Sequence, residues 1–487
     1  MYDNFDLSVL FPEFILSSVA VLIILLGVFL KKLKLEKFYL YVMAVSLVVA
    51  LSFSISDFGA SHVYLFNNMV ESNPIKQLLK IIILGLSVFT AILLIGSSEK
   101  YREIRKFEFS SLCIFSICGS LLILSANNLI ILYLGLEIQS LCLYVLATFA
   151  RKNHKSSEAG VKYFILGSIA SAVLLFGMSF MYGYSGTVNF TEMQKIYSAL
   201  LTTNGSEVPI GFIIGFVLVI IGLLFKASAF PFHIWVPDVY QGSQLPVTAF
   251  FSIIPKVTSI FILLDFLVVN FSMWKASWSP IIMFVSVLSM FIGAFGAMIQ
   301  KNMKRLLAYS SIGNVGFMIV ALVSSSGHSL GSVIIYAVIY GIMNIGMFAL
   351  LNIVQKKHED YNISIFTGLA ERHPMLAFSF AVILLSMAGI PPLAGFFAKF
   401  FVIKSLIVSD MYAIATVTLL ASVISSFYYL KIIKSMYFET AENSDHAISI
   451  VPETMFIATF AVVANMFLVF TPSSIINFTS LQISLIP

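Results

Sequence analysis

The stretch Val208–Phe232, VPIGFIIGFVLVIIGLLFKASAFPF, decides the fold. It is apolar on every side up to Phe225, so no face of a helix made from it wants water. A run of about 18–25 such residues crosses a bilayer as a helix. Yet Lys226 stands at its end, and Pro231 and Pro237 follow in FKASAFPFHIWVPD. Proline removes a backbone donor and disturbs the turn before it, so this span divides into two half-helices. The ends of half-helices expose unpaired N–H and C=O groups that hold ions or water at membrane depth.

The same habit recurs elsewhere. Lys256 lies in AFFSIIPKVTSIFILL, Lys399 in GIPPLAGFFAKFFVI and Glu137 in LIILYLGLEIQSLCLYVL. Each charge at mid-bilayer costs roughly 2.5–3.5 kcal/mol, so four cost about 10–14 kcal/mol. Ionisable groups kept at that cost mark proton or ion pathways.

Of the 487 residues, 59% are apolar and 10% charged, with a mean hydropathy of +0.99. A soluble chain carries nearer a quarter charged residues. About fourteen apolar runs have spanning length. They begin near Phe11, Tyr39, Ile75, Phe107, Asn128, Val161, Val208, Leu245, Ser279, Leu306, Ser329, Met375, Met411 and Pro452. The fold class is therefore an all-α polytopic membrane protein; the alternation of a membrane barrel is absent and strands are not expected.

Most of the 28 basic residues follow odd-numbered runs. They include Lys31, Lys32, Lys34 and Lys37; Lys100, Arg102, Arg105 and Lys106; Arg151, Lys152, Lys155 and Lys162; Lys301, Lys304 and Arg305; Lys356, Lys357 and Arg372; and Lys431 and Lys434. The connections SANN, SSSGHSLGS and VSDM, after even runs, carry no Lys or Arg. The positive-inside rule then puts both termini outside the cytoplasm, on the periplasmic side of a bacterial inner membrane. The acidic start MYDNFDLSVLFPEF, with its basic cluster after the apolar run, reads as a retained anchor. Cys113, Cys118 and Cys142 lie in apolar runs without ligand spacing and read as buried thiols. No motif for holding a nucleotide, flavin, metal or iron–sulfur cluster is visible, and nothing points to nucleic acid.

A second broken span carries Gly389, Pro391, Pro392 and Gly395 before Lys399. Paired Gly/Pro-interrupted spans are the sign of inverted repeats. The expected domains are three N-terminal helices (1–106), a five-helix repeat (107–270), its inverted counterpart (279–436) and a final helix (450–475). Within them Lys226 and Glu137 are expected to pair. Burial lowers a lysine's pKa and a nearby carboxylate raises it, so movement of the partner switches the proton. His233 is suited to a relay. Lys256 either joins that relay or reaches to the interface. Asp265 reads as interfacial, Glu158 and Lys162 as an i,i+4 pair near a point of proton uptake, and Lys404 as reaching to the membrane surface.

At these residues the sequence resembles the antiporter-like membrane subunits of the proton-pumping NADH–quinone oxidoreductase, respiratory complex I, and within that group the subunit N branch. Five segments carry the likeness: Leu132–Leu146, Ala159–Thr187, Phe225–Lys256, Gly389–Phe400 and Lys301–Met318. The resemblance implies a translocase subunit that conducts protons through Glu137, Lys226, His233, Lys256 and Lys399. It also implies that NADH, FMN, iron–sulfur clusters and quinone are bound by partner subunits, and that the other membrane-arm subunits and lipids surround the chain. Lys399 sits where a sister branch usually has glutamate. Asn314, Gln241, Gln244 and Leu245 depart from the family pattern, and Asn314 is assigned no proton role. A subunit of a multi-subunit sodium/proton antiporter and a non-conducting membrane scaffold are the alternatives.

Overall fold

The computed structural model describes residues 7–29, 37–59, 62–203, 208–324, 327–354, 361–440 and 451–468. Lys31, Lys32, Lys34, Lys356 and Lys357, and both ends of the expected final domain, lie outside them.

The chain opens with α1 (Phe11–Phe29) and α2 (Phe38–Ser56). A small antiparallel hairpin, β1 (Val63–Leu65) and β2 (Val70–Ser72), precedes α3 (Pro74–Ser97). Then come α4 (Phe107–Ser125), α5 (Leu129–Ala147), α6 (His154–Ser185) and α7 (Phe190–Thr203). The central part holds α8 (Ile210–Ala227), α9 (Trp235–Gly242), α10 (Leu245–Leu264), α11 (Lys275–Met298), α12 (Met303–Ala321) and α13 (Gly327–Val354). The short α14 (Leu369–Arg372) leads to α15 (Pro374–Ala388), α16 (Ala394–Val408), α17 (Tyr412–Phe438) and α18 (Pro452–Phe467).

Eleven helical segments are long and apolar enough to cross a membrane. The other three apolar runs in the sequence correspond to α12, to the interrupted pair α15 and α16, and to α18. Helix starts follow local chemistry. Asn73, Asn128, Asn153 and Asn302 each accept a backbone N–H with the side chain, satisfying donors that a first turn leaves open. Proline occupies the first turn of α3, α10, α15 and α18, where its missing N–H is no loss.

Two elements depart from the sequence reading. The hairpin and α7 lie in connections between the predicted spans, and strands are not expected from the sequence. Both are too short or too amphipathic to register as spans, and the hairpin pairs Val63 with Ser72 across a tight turn. In addition α6 begins at His154, a full turn and more before the apolar run, because Asn153 caps it and its first turns lie among polar groups.

The core is α10, every residue of which is buried, packed among α3, α4, α5, α8, α12 and α13. Helix pairs approach closely where glycines face each other. A Cβ on Gly177 of α6 would lie 2.7 Å from the Gly215 carbonyl of α8, and the reverse holds at Gly215. Small residues permit such contact between membrane helices.

Candidate functional site

Both expected breaks are present and share a layout. Helix α8 stops at Ala227; Ser228 follows in the left-handed region (φ 65°), and the Phe230–Pro231 peptide is cis. Helix α15 stops at Ala388; Gly389 follows at φ 84°, and Pro391–Pro392 is cis. Each stop leaves carbonyl groups that the next turn would have engaged.

A buried lysine meets each of them. Lys256 of α10 donates to the Ala227 carbonyl at 3.3 Å and to the Ser228 hydroxyl, with its amine 5.4 Å from the Trp235 ring centre. Lys399 of α16 donates to the Ala388 carbonyl at 2.9 Å and to Ser425 Oγ at 3.4 Å, and lies 5.0 Å from the Phe317 ring centre. The carbonyl end of a helix is negative, so it favours a cation there. Lys256 is 1% exposed: it does not reach to the interface, because its amine is held at the break. A third lysine shows the same use. Lys304, read from sequence as a surface cation, is buried and donates to the Ser243 carbonyl, at the end of α9, at 2.6 Å.

Lys226 lies on the last turn of α8 and points towards α5. Its amine donates to Ser140 Oγ at 2.6 Å and lies 3.5 Å from both Tyr144 OH and Ser171 Oγ. The expected direct pair with Glu137 is not formed. Ser140, one turn along the same face of α5, takes the amine instead and donates its own proton to the Leu136 carbonyl at 2.6 Å. Glu137 Oε1 is buried and has no hydrogen-bond partner among the described residues. The amine therefore rests on a hydroxyl and not on the carboxylate.

His233 sits in the turn between α8 and α9, beside the Phe230 ring. Its Nδ1 is buried and likewise has no partner among the described residues. The helix does not continue to it, so its placement comes from the break and not from helical spacing.

Lys162 makes the expected i,i+4 pair with Glu158 at 2.8 Å and adds Asp238 at 2.9 Å. Asp238 also receives Arg305 at 2.8 Å, which ties α6, α9 and α12 together. Burial pushes the Asp238 carboxyl up, but the bonds from Lys162 and Arg305 outweigh it and hold it below the ordinary carboxylate range. These groups, with Lys155 and Gln241, line a cavity of about 240 Å³.

Asp265, expected at the interface, is buried within the chain. It is 3% exposed, bonded by Asn270 at 3.1 Å and 3.7 Å from the amine of Lys76. Lys76 and its neighbour Lys80, both buried on α3, were missed in the sequence. The signal was available: two lysines at i,i+4 open an apolar run on the side where the charge pattern makes lysine scarce. Also missed was a network of neutral polar groups between the breaks. Tyr336 donates to Asn314 Oδ1 at 2.8 Å, Asn314 donates to the Ser310 carbonyl at 2.9 Å, and Ser310 and Tyr429 share a hydrogen bond. Cys113, Cys118 and Cys142 are free and buried.

Interrupted helices whose carbonyl ends hold buried amines, inside a bundle with eleven membrane-length helices, define a polytopic membrane protein built to handle ions. The chain belongs to the NADH:quinone oxidoreductase/Mrp antiporter transmembrane family, whose model matches residues 126–425, and within it to the family of NADH-quinone oxidoreductase subunit N. The subunit N of Paramagnetospirillum magneticum is 39% identical over 445 residues, 90% of each chain. That of Parvibaculum lavamentivorans is 42% identical over 432 residues, 88% of this chain and 87% of the other. A chain of respiratory complex I from Thermus thermophilus superposes with a TM-score of 0.79 at 26% identity, covering 96% of this chain and 98% of that one. A chain of the Mrp complex from Dietzia shares the fold, with a TM-score of 0.84 at 18% identity over 98% and 96% of the two chains.

Proposed function

We propose that this chain is a proton-conducting membrane-arm subunit of an NADH–quinone oxidoreductase. The observation that carries the reading is the seating of Lys256 and Lys399 on the carbonyl ends of the two interrupted helices. An amine held by dipoles and hydroxyls, with no carboxylate against it among the described residues, can release its proton without breaking an ion pair. Glu137 acts on Lys226 through its charge, so a change of charge at Glu137 alters how firmly Lys226 keeps its proton. His233 continues the line towards Lys256, and the hydroxyl network around Asn314 bridges towards Lys399. Lys162 and the cavity beside it form the water-facing approach. The likeness to subunit N supports placing NADH, FMN, the iron–sulfur clusters and quinone in partner subunits.

The matching breaks support two inverted five-helix units, 107–270 and 279–436, preceded by three helices (1–106) and followed by a last helix (450–475). The charge pattern supports placing both termini on the periplasmic side of a bacterial inner membrane.

Lys226→Ala and Lys226→Arg, in the fully assembled complex, test the mechanism. A guanidinium keeps the charge but does not give up its proton near neutral pH. Both variants are expected to lower the number of protons moved per electron. Undiminished pumping in either, at unchanged electron flux, overturns the proton-carrying role of Lys226; pumping rescued by Arg alone assigns it a purely electrostatic one.

A further inference from the structure

The N-terminal segment lies before the matched family region, yet together with Asp265 it carries a dense set of buried charges. Lys76 Nζ lies 2.8 Å from Glu71 Oε2 and 3.7 Å from Asp265 Oδ2, and donates to the Ala126 carbonyl at 2.8 Å. One turn further along α3, Lys80 pairs with Glu13 at 2.6 Å. Glu71 in turn contacts His62 Nε2 through Oε1 at 2.8 Å and accepts from Asn73 at 3.0 Å. The His62 side chain is 39% exposed, whereas those of Lys76 and Asp265 are 1% and 5% exposed. The set therefore runs from water to the core.

Its charges do not balance. Among the described residues two buried lysines face three buried carboxylates, Glu13, Glu71 and Asp265. Fully ionised, the group carries a net negative charge in a medium that tolerates none. Asp57, which lines the small opening beside Lys80, adds no positive charge. Tyr64, its ring tilted against that of His62, and Asn270, bonded to Asp265, are neutral. One more proton restores neutrality. Glu71 is not its resting place: burial raises its pKa, but Lys76, His62 and Asn73 hold it below the ordinary carboxylate value.

We propose that His62, Glu71, Lys76 and Asp265 form a proton-exchange site, open to water at the hairpin face of the bundle. At rest the proton sits on Asp265, the carboxyl held farthest from its amine at 3.7 Å from Lys76 Nζ, with His62 Nε2 donating to Glu71. In release, Lys76 gives a proton to Glu71 and is reprotonated by the Asp265 carboxyl. The His62 ring turns to present its unprotonated Nδ1 to Glu71 and takes the proton there; the imidazolium then sheds its Nε2 proton to water, and exchange through water restores the starting tautomer. One proton leaves, Asp265 becomes a carboxylate, and the other groups return to their starting states. Uptake runs the same steps backwards. The site stands on these residues alone, so it does not depend on conduction through Lys226.

Infrared difference spectroscopy of the purified whole complex tests it, with pH as the only variable. The wild-type spectrum is expected to contain a protonated-carboxyl band that grows as the pH falls and is missing in Asp265→Asn. His62→Gln lies on the exposed rim and keeps a donor for Glu71, so assembly is retained. In that variant the band is expected to persist but to respond to a pH jump about a hundredfold more slowly, the lower end of the loss typical of removing a proton-transfer group. No titrating band in the wild type, an unchanged spectrum in Asp265→Asn, or an unslowed response in His62→Gln each overturns the proposal.

Discussion

At the scale of single residues the chain uses lysine in an unusual setting. An exposed lysine is a hydrated point charge, but Lys256, Lys304 and Lys399 each lie buried against the carbonyl end of a helix. Gly389 shows how tight that setting is. Its φ of +84° is one that side chains resist, and a Cβ there would lie 2.8 Å from Lys399 Cδ. Gly389→Ala is therefore expected to destabilise by about 1–2 kcal/mol from the backbone alone and to push the Lys399 stem off the Ala388 carbonyl. Thermal melting of the complex and its proton-to-electron ratio should both fall. Gly85→Ala, where no atom lies within 4 Å of the new methyl, should leave both unchanged. The sequence made Lys226, Lys256 and Lys399 conspicuous because charge inside an apolar run is costly. It did not disclose their partners. Which carbonyl a break leaves open, and that Ser140 intercepts Lys226 before Glu137, are settled by the packing of separate helices. The same holds for Asp265: its partner Lys76 lies far away in the chain.

At the scale of elements, hydropathy placed the helices well, since water and lipid act on every residue of a run alike. Starts at Phe107, Leu245 and Pro452 agree with the structure to the residue. The hairpin and α7 escaped because neither needs the membrane: one is held by a few strand hydrogen bonds and the other is a short surface helix. Helix contacts are legible only where glycine marks them. Gly177 and Gly215 bring α6 against α8 and so bring Ser171 to within 3.5 Å of the Lys226 amine. Gly215→Leu is expected to cost about 1–3 kcal/mol through overpacking, seen as a lower melting temperature of the assembled complex. It should also reduce pumping more than electron transfer, by separating those two groups. Gly183→Leu, on the same helix as Gly177 but with open space around it, is the control and should change neither.

At the scale of the molecule, the water-facing join between α6, α9 and α12 depends on one carboxylate. Asp238 holds Lys162 and Arg305 at once. Its pKa is depressed in the folded state, so its contribution to stability is fully present above the unfolded value, about 3.9, and fades as pH falls through the lower folded value. The pair members are partly exposed, so the contribution is about 1 kcal/mol or less. Melting of wild type and Asp238→Asn should therefore differ at neutral pH and converge in acid below about pH 4; a difference that widened in acid would contradict this reading. The burial of α10 has a further consequence, for biosynthesis. The ribosome delivers Lys256 and Asp265 to the bilayer before α12 and α13, which enclose that helix, have been made. At roughly 5–20 residues per second, several seconds pass before they arrive. Throughout that interval α10 needs either the earlier helices α3 and α8 as shelter or a place inside the insertion machinery, so the order of genesis is written into which helix ends up in the middle.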